Sequence, residues 1–199
     1  SVSDQSWFAE DGVLYGGTRV QARMGRGMQF DGADDYIDCG TDPSLNFEYT
    51  TPMTFMFWMN IGETYPAASH DIISKIDFMG ANVQRGYRII HEWHGTQISF
   101  QIANERQPGD NYLCVTTSSN IDTGWHHFAV TYAGDGDANS VKMYLDATPI
   151  SSYIFYNGLT GTIQNTRPLE IARSGDAPNY WKGGADEVKI YTRALSYPE

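Results

Sequence analysis

Cysteine is scarce in this chain: Cys39 and Cys114 are the only two in 199 residues. A disulfide-stapled scaffold is thereby excluded, and the pair reads as free, buried thiols. Long apolar runs are missing as well. No stretch has the length to span a bilayer as a helix, and no charged-then-apolar leader opens the sequence. Basic residues are few, 13 against 24 acidic, so the formal net charge is −11. That sign opposes attraction to phosphate backbones and anionic lipid, so neither nucleic acid nor membrane insertion is expected. Helical periodicity is nearly absent. What the chain has instead is 14% aromatic residues, 20 glycines spread as punctuation, and 41% hydrophobic residues, enough to build one globular core. Its first residue is Ser1 rather than Met, which fits processing or excision from a larger polypeptide.

Short apolar or alternating runs bounded by Gly, Pro, Asn and Asp recur along the whole length, the pattern of an all-β chain. Residues 53–59 are almost continuously apolar, as suits a central strand covered on both faces. Residues 98–102 and 141–145 alternate, which suits strands with one face on the core. Further strands are expected at 71–76, 87–91, 112–116, 127–132, 169–172 and 187–191. Two stacked antiparallel sheets follow. Asp135-Gly136, Asn157-Gly158 and Gly183-Gly184 carry turn chemistry. The polar stretches 62–70, 77–85, 104–111 and 174–179 read as rim loops, where recognition residues collect.

Acidic residues cluster around two short strand patterns at opposite ends of the chain, 30–40 and 183–196. Carboxylates that converge repel one another unless a cation compensates them, and a hard cation such as Ca²⁺ takes six to eight oxygens. Asp31, Asp34, Asp35 and Asp186, with the Gly32 carbonyl, are the candidate ligands. The competing reading makes Asp31-Gly32 a tight turn and Asp186 the cap of a strand end. The stretch 135–139 is a hairpin loop rather than an EF-hand, because its sixth position is Ser140 and its twelfth is Asp146.

Signatures of catalysis are missing. His91 and His94 lack the helical spacing of zinc proteases, and the adjacent His126 and His127 point to opposite faces of a strand. Glu92, Glu105, Glu170 and Glu187 are isolated from one another in sequence, so no spacing marks a carboxyl pair for glycoside hydrolysis, and the catalytic alternative is a divergent glycosidase or lyase built from scattered residues. Sugar recognition needs exposed rings for stacking plus planar polar groups for hydroxyls. Trp93, Tyr180, Tyr65, Arg106, Asn111 and Asn179 lie in the expected rim loops and are the candidates.

Four segments, 27–37, 125–132, 142–146 and 184–196, together resemble the laminin-G-like branch of the concanavalin A-like lectin/glucanase superfamily. The resemblance implies an all-β, two-sheet antiparallel jelly-roll sandwich, with 1–199 a single domain that lacks the usual first strand or is excised from a larger chain. It also implies a noncatalytic module of extracellular or surface-exposed proteins, binding glycan or protein. Where relatives carry structural Ca²⁺, oxygens at the Phe-Asp-Gly turn join an Asp of the last strand, here Asp31, Gly32 and Asp186. The Glu-x-Asp-x-x-Glu of the catalytic relatives does not occur in this sequence. The expectation is an extracellular carbohydrate-binding module whose rim loops stand on a calcium-braced sandwich. The alternative is a structural or protein-interaction domain of a surface, adhesin or virion assembly. A missing first strand would leave an open sheet edge for association.

Overall fold

The computed structural model describes residues 2–3, 11–62, 68–79, 83–93, 95–106, 109–175 and 177–197. In chain order the strands are β1 (Val13–Tyr15), β2 (Thr18–Ala22), β3 (Gly25–Asp31), β4 (Tyr36–Asp38), β5 (Met53–Ile61), β6 (His70–Phe78), β7 (Gln84–His91), β8 (Ile98–Glu105) and β9 (Asn111–Thr117). They continue as β10 (Gly124–Tyr132), β11 (Lys142–Leu145), β12 (Thr148–Pro149), β13 (Ser152–Asn157), β14 (Glu170–Ile171), β15 (Arg173–Ser174), β16 (Ala177–Tyr180) and β17 (Lys182–Tyr191). One sheet has eight strands in the order β1, β4, β14, β6, β7, β8, β9, β13. The other has seven, in the order β12, β11, β10, β5, β17, β3, β2. Every pairing is antiparallel in both. The all-β, two-sheet expectation is met.

Strand alternation builds the core. Met53, Phe55, Phe57, Met59 and Ile61 point inward from β5 and meet Tyr87 and Ile89 of β7 and Ile98, Phe100 and Ile102 of β8. Phe55 lies at the centre, its ring 5.3 Å from Tyr87, 5.9 Å from Phe100 and 6.4 Å from Phe47. Two buried phenol hydroxyls are satisfied: Tyr87 donates to Leu45 O at 2.8 Å, and Tyr132 donates to Tyr49 O and accepts from Gly136 N, both at 2.7 Å. Lys75 is buried and donates its ammonium to the carbonyls of Arg167 and Asn165. Burial holds its pKa below the usual lysine range.

Three local readings need correction. Gly183-Gly184 is not a turn; both residues lie inside β17, where a Cβ on Gly183 would sit 2.4 Å from the Trp181 side chain and 2.7 Å from Asn60 O. Trp58, within the run 53–59 expected to be covered on both faces, is only half-buried on the outer face, edge-on to His127 and under the Arg23 guanidinium. In the stretch expected as a loop at 174–179, Ser174 lies in β15 and residues 177–179 lie in β16, strands that follow β14 after Ala172 (φ +67°). Cys39 and Cys114 are free thiols, and burial pushes Cys114 up to about 11.

Candidate functional site

The turn between β3 and β4 gathers Asp31, Asp34 and Asp35, with one carboxylate oxygen from each within 4.8 Å of the others. Asp35 organises it. Its Oδ1 accepts from Gly17 N at 2.6 Å and its Oδ2 from Asp31 N at 3.0 Å, so one buried carboxylate clamps the turn to the β1–β2 connection. Asp31 Oδ1 accepts from Ala33 N at 2.7 Å, closing an Asx turn. Glycine is required beside the clamp: Gly16 has φ +61°, and a Cβ there would lie 1.9 Å from Asp35 Oδ1. Asp31 and Asp34 are exposed.

Asp186 does not join this cluster. Asp31 pairs with Lys182 and Met28 with Ala185, so Asp186 sits four positions along β17, roughly 13 Å away at ~3.3 Å per residue. There its Oδ2 accepts from Met24 N at 3.1 Å, tying down the β2–β3 hairpin. The strands are neighbours as expected, but their register separates the two acids.

Immediately beyond the clamp stands a group of aromatic rings. Tyr15 and Tyr36 are cross-strand partners, stacked with centroids 4.5 Å apart and planes 6° apart. Tyr180 lies 6.2 Å from Tyr36. The Arg173 guanidinium sits 4.4 Å over the Tyr36 ring and pairs with Glu170 at 3.3 Å. Burial raises the Tyr36 hydroxyl pKa, and Arg173 partly offsets the rise. Tyr15 is 45% exposed, so part of this aromatic surface faces solvent, next to the half-buried Asn179 and Tyr180 and to the acidic turn. Two predictions made separately, the acidic turn and Tyr180, therefore meet at one corner. Tyr15, Tyr36 and Arg173 were not predicted as site residues. Their only sequence signals are Tyr15 preceding Gly16-Gly17 and Tyr36 following Asp35.

The other candidates lie elsewhere. Trp93 is 58% exposed on the β7–β8 connection, where its N–H meets Ser69 Oγ at 3.3 Å, the hydroxyl that bonds Glu92. Arg106 lies beyond the far end of β8, a strand roughly 23 Å long at ~3.3 Å per residue, with its guanidinium 5.6 Å from the Tyr112 ring. Asn111 is engaged at both ends of its amide, accepting from Thr160 N and donating to Thr160 Oγ1. These contacts make it a brace for the 158–161 loop. Tyr65 and His94 lie outside the described residues.

Two buried acids, Asp71 and Glu170, have charged partners. Asp71 pairs with Arg88 at 3.3 Å, and Glu170 pairs with Arg173 and accepts from Gly175 N. Burial lifts both carboxyl pKa values above the usual range, and the arginines pull them back. On the outer face of the seven-stranded sheet, a groove of about 120 Å³ is lined by Met56, His127, Ala129, Tyr144, Leu195 and Tyr197. Burial holds the His127 imidazole pKa below its usual value.

The aromatic corner and the braced acidic turn stand together at one edge of a two-sheet antiparallel sandwich. The chain belongs to the concanavalin A-like lectin/glucanase superfamily, whose laminin-G-type profile matches residues 31–199. No curated protein sequence matches it. Among solved structures it is similar to the binding domain of Paraclostridial Mosquitocidal Protein 1, with 19% identity and a TM-score of 0.73 over 98% of this chain and 47% of that one. It is similar also to the botulinum neurotoxin serotype D ligand-binding domain in complex with N-acetylneuraminic acid (12%, TM-score 0.70, 98% and 45%). A third is the botulinum neurotoxin DC binding domain in complex with rat synaptotagmin II (12%, TM-score 0.70, 98% and 46%). The chain thus spans slightly less than half of each of these structures, and at such identities the likeness establishes the fold. No helix among the described residues is long and apolar enough to cross a membrane.

Proposed function

We propose that the domain is a noncatalytic extracellular recognition module that binds carbohydrate at the corner formed by Tyr15, Tyr36, Tyr180 and Arg173. The observation that carries this reading is the exposed Tyr15 ring, stacked on its cross-strand partner Tyr36 next to the acidic turn. A pyranose offers an apolar C–H face and a polar edge. Tyr15 supplies a surface for the first, and the Asp31 and Asp34 carboxylates supply acceptors for the second. The glycan and protein ligands of the fold neighbours support a recognition role in general terms.

Glycan-array and calorimetric binding of the wild type and of Tyr15→Ala, Tyr180→Ala and Trp93→Ala tests the reading. Tyr15→Ala and Tyr180→Ala are expected to lose about tenfold in affinity, equivalent to a stacking contact of about 1.4 kcal/mol, while Trp93→Ala retains wild-type binding. Failure of every glycan to bind, or binding indifferent to Tyr15 and Tyr180, overturns it.

A divalent cation, Ca²⁺ by its hard oxygen ligands, is proposed at the same turn. The three converging carboxylates fit such an ion in part. Asp35 already serves two backbone amides, so Asp31, Asp34 and the Gly32 carbonyl are the ligands left to dominate. The ion would neutralise the cluster and stiffen the turn beneath Tyr36. At a hundredfold excess over Kd it adds about 2.7 kcal/mol, or roughly 5–11 °C in Tm. Thermal melts with Ca²⁺ and with chelator read this directly. The expected gain disappears in Asp34→Asn, and a Tm indifferent to both additions removes the ion from the proposal.

A further inference from the structure

Arg173, which lies 4.4 Å over the Tyr36 ring, is itself held by a buried carboxylate, Glu170 of β14. The two oxygens of Glu170 serve different parts of the β15–β16 hairpin. Oε1 pairs with Arg173 Nη1 at 3.3 Å, and Oε2 accepts from Gly175 N at 2.9 Å. Strands of two and four residues hold little place of their own, so anchors of this kind decide where the hairpin sits. Ser74 Oγ adds another, donating to Arg173 O at 2.7 Å. The hairpin in turn carries Tyr180, the cross-strand partner of Arg173 and the third ring of the corner. Glu170 also stands directly across the ladder from Asp38, and like charges so placed repel. A glutamine would accept from Gly175 N just as well. What requires the ionised acid is the hold on the Arg173 guanidinium, and through it on the ring that Tyr15 stacks against.

We infer that Glu170 is the positioning residue of the aromatic corner: its carboxylate seats Arg173 over Tyr36, and the corner keeps its binding form only while Glu170 is ionised. The inference rests on the carbohydrate reading for its ligand. The groups facing Glu170 set the direction with pH. Arg173 of β15 and Arg167, in the segment before β14, favour the ionised form; Asp38 of β4 opposes it, and Ser74 of β6 carries no charge. Burial outweighs the arginines and raises the carboxyl above its ordinary 4.5, so Glu170 takes up a proton earlier than an exposed acid as pH falls. Tyr36, raised above 10, stays neutral throughout. Protonation ends the ion pair, releases Arg173 and weakens the corner.

Two measurements in metal-free buffer, from neutral pH down to about 4.5, test the inference. In the ligand-free protein, the NMR signals of the Tyr15 and Tyr36 rings are expected to shift in one step, and in Glu170→Gln to hold the acid-limit positions at every pH. Affinity for the glycan that gives the strongest wild-type signal on an array is expected to fall about fivefold over the same range, while Glu170→Gln starts at the lower value and stays flat. Glu170→Gln combined with Arg173→Gln is expected to bind no worse than Arg173→Gln alone, as for two residues acting through one contact. Melting curves establish that the variants fold. Should Glu170→Gln not fold, Arg173→Gln, at a partly exposed side chain, is expected to remove the ring step by itself. Rings indifferent to pH, a step that persists in either variant, affinity indifferent to pH, or effects that simply add in the double variant overturn the inference. A ring step with no glycan bound overturns the carbohydrate reading alone.

Discussion

Replacing Arg88 with methionine costs about 3–5 kcal/mol at neutral pH, the penalty for leaving a buried charge without its partner. Arg88 Nη1 lies 3.3 Å from Asp71 Oδ1, and Nη2 donates to Gln84 and Gln101 at 3.1 and 3.2 Å. Asp71 is only 2% exposed, so nothing else replaces the guanidinium. Burial already holds the Asp71 carboxyl above its ordinary 3.8, and Arg88 is the main influence pulling it back. An acid raised in the folded state keeps a proton that the unfolded chain has lost. Its contribution to stability therefore falls as pH rises from the ordinary value to the folded one. Without Arg88 that window extends upward. Below pH 3.8 the carboxyl is neutral in both states, and the variant recovers most of its deficit relative to wild type. Urea midpoints of both proteins at neutral and acidic pH measure the difference; an equal deficit at both would show that Asp71 does not depend on Arg88.

Phe55→Ala is expected to be as damaging for a different reason. The ring is fully buried at the junction of the two sheets, against Phe47, Tyr87 and Phe100. Its loss removes contacts from both layers and leaves a cavity that a rigid sandwich fills poorly, at about 3–5 kcal/mol. That corresponds to a fall of roughly 6–20 °C in Tm for a domain of this size. Unlike Arg88→Met, the deficit has no pH dependence, because no titratable group changes environment. Chemical denaturation of the two variants across pH separates a packing defect from an electrostatic one.

What the sequence made legible is what alternation and apolarity encode. The run 53–59 became the central β5, and 98–102 lies within β8. Strand adjacency was also within reach, since β3 and β17 do pair. Register was not. Placing Asp186 beside Asp31 needed the four-residue offset fixed by Lys182 opposite Asp31, which no local pattern announces. Gly183-Gly184 read as a turn because glycine pairs usually are; inside β17 they make room for Trp181 and the neighbouring β5 backbone. The candidate corner was half visible for the same reason. Asp31, Asp34 and Asp35 are contiguous in sequence, whereas Tyr15, Tyr36 and Tyr180 meet only once β1 has aligned on β4 and the β15–β16 hairpin has folded over.

The placement of β17 also bears on how the domain assembles. The last strand in sequence inserts between β5 and β3, and so occupies the middle of the seven-stranded sheet rather than its border. Until that segment is available, β2–β3 and β5–β10–β11 are two separate fragments with no hydrogen-bonded seam between them. Closure of this layer therefore has to wait for residues 182–191. Closure links positions more than a hundred residues apart, a topology of high contact order that favours slow, late folding over stepwise folding during synthesis.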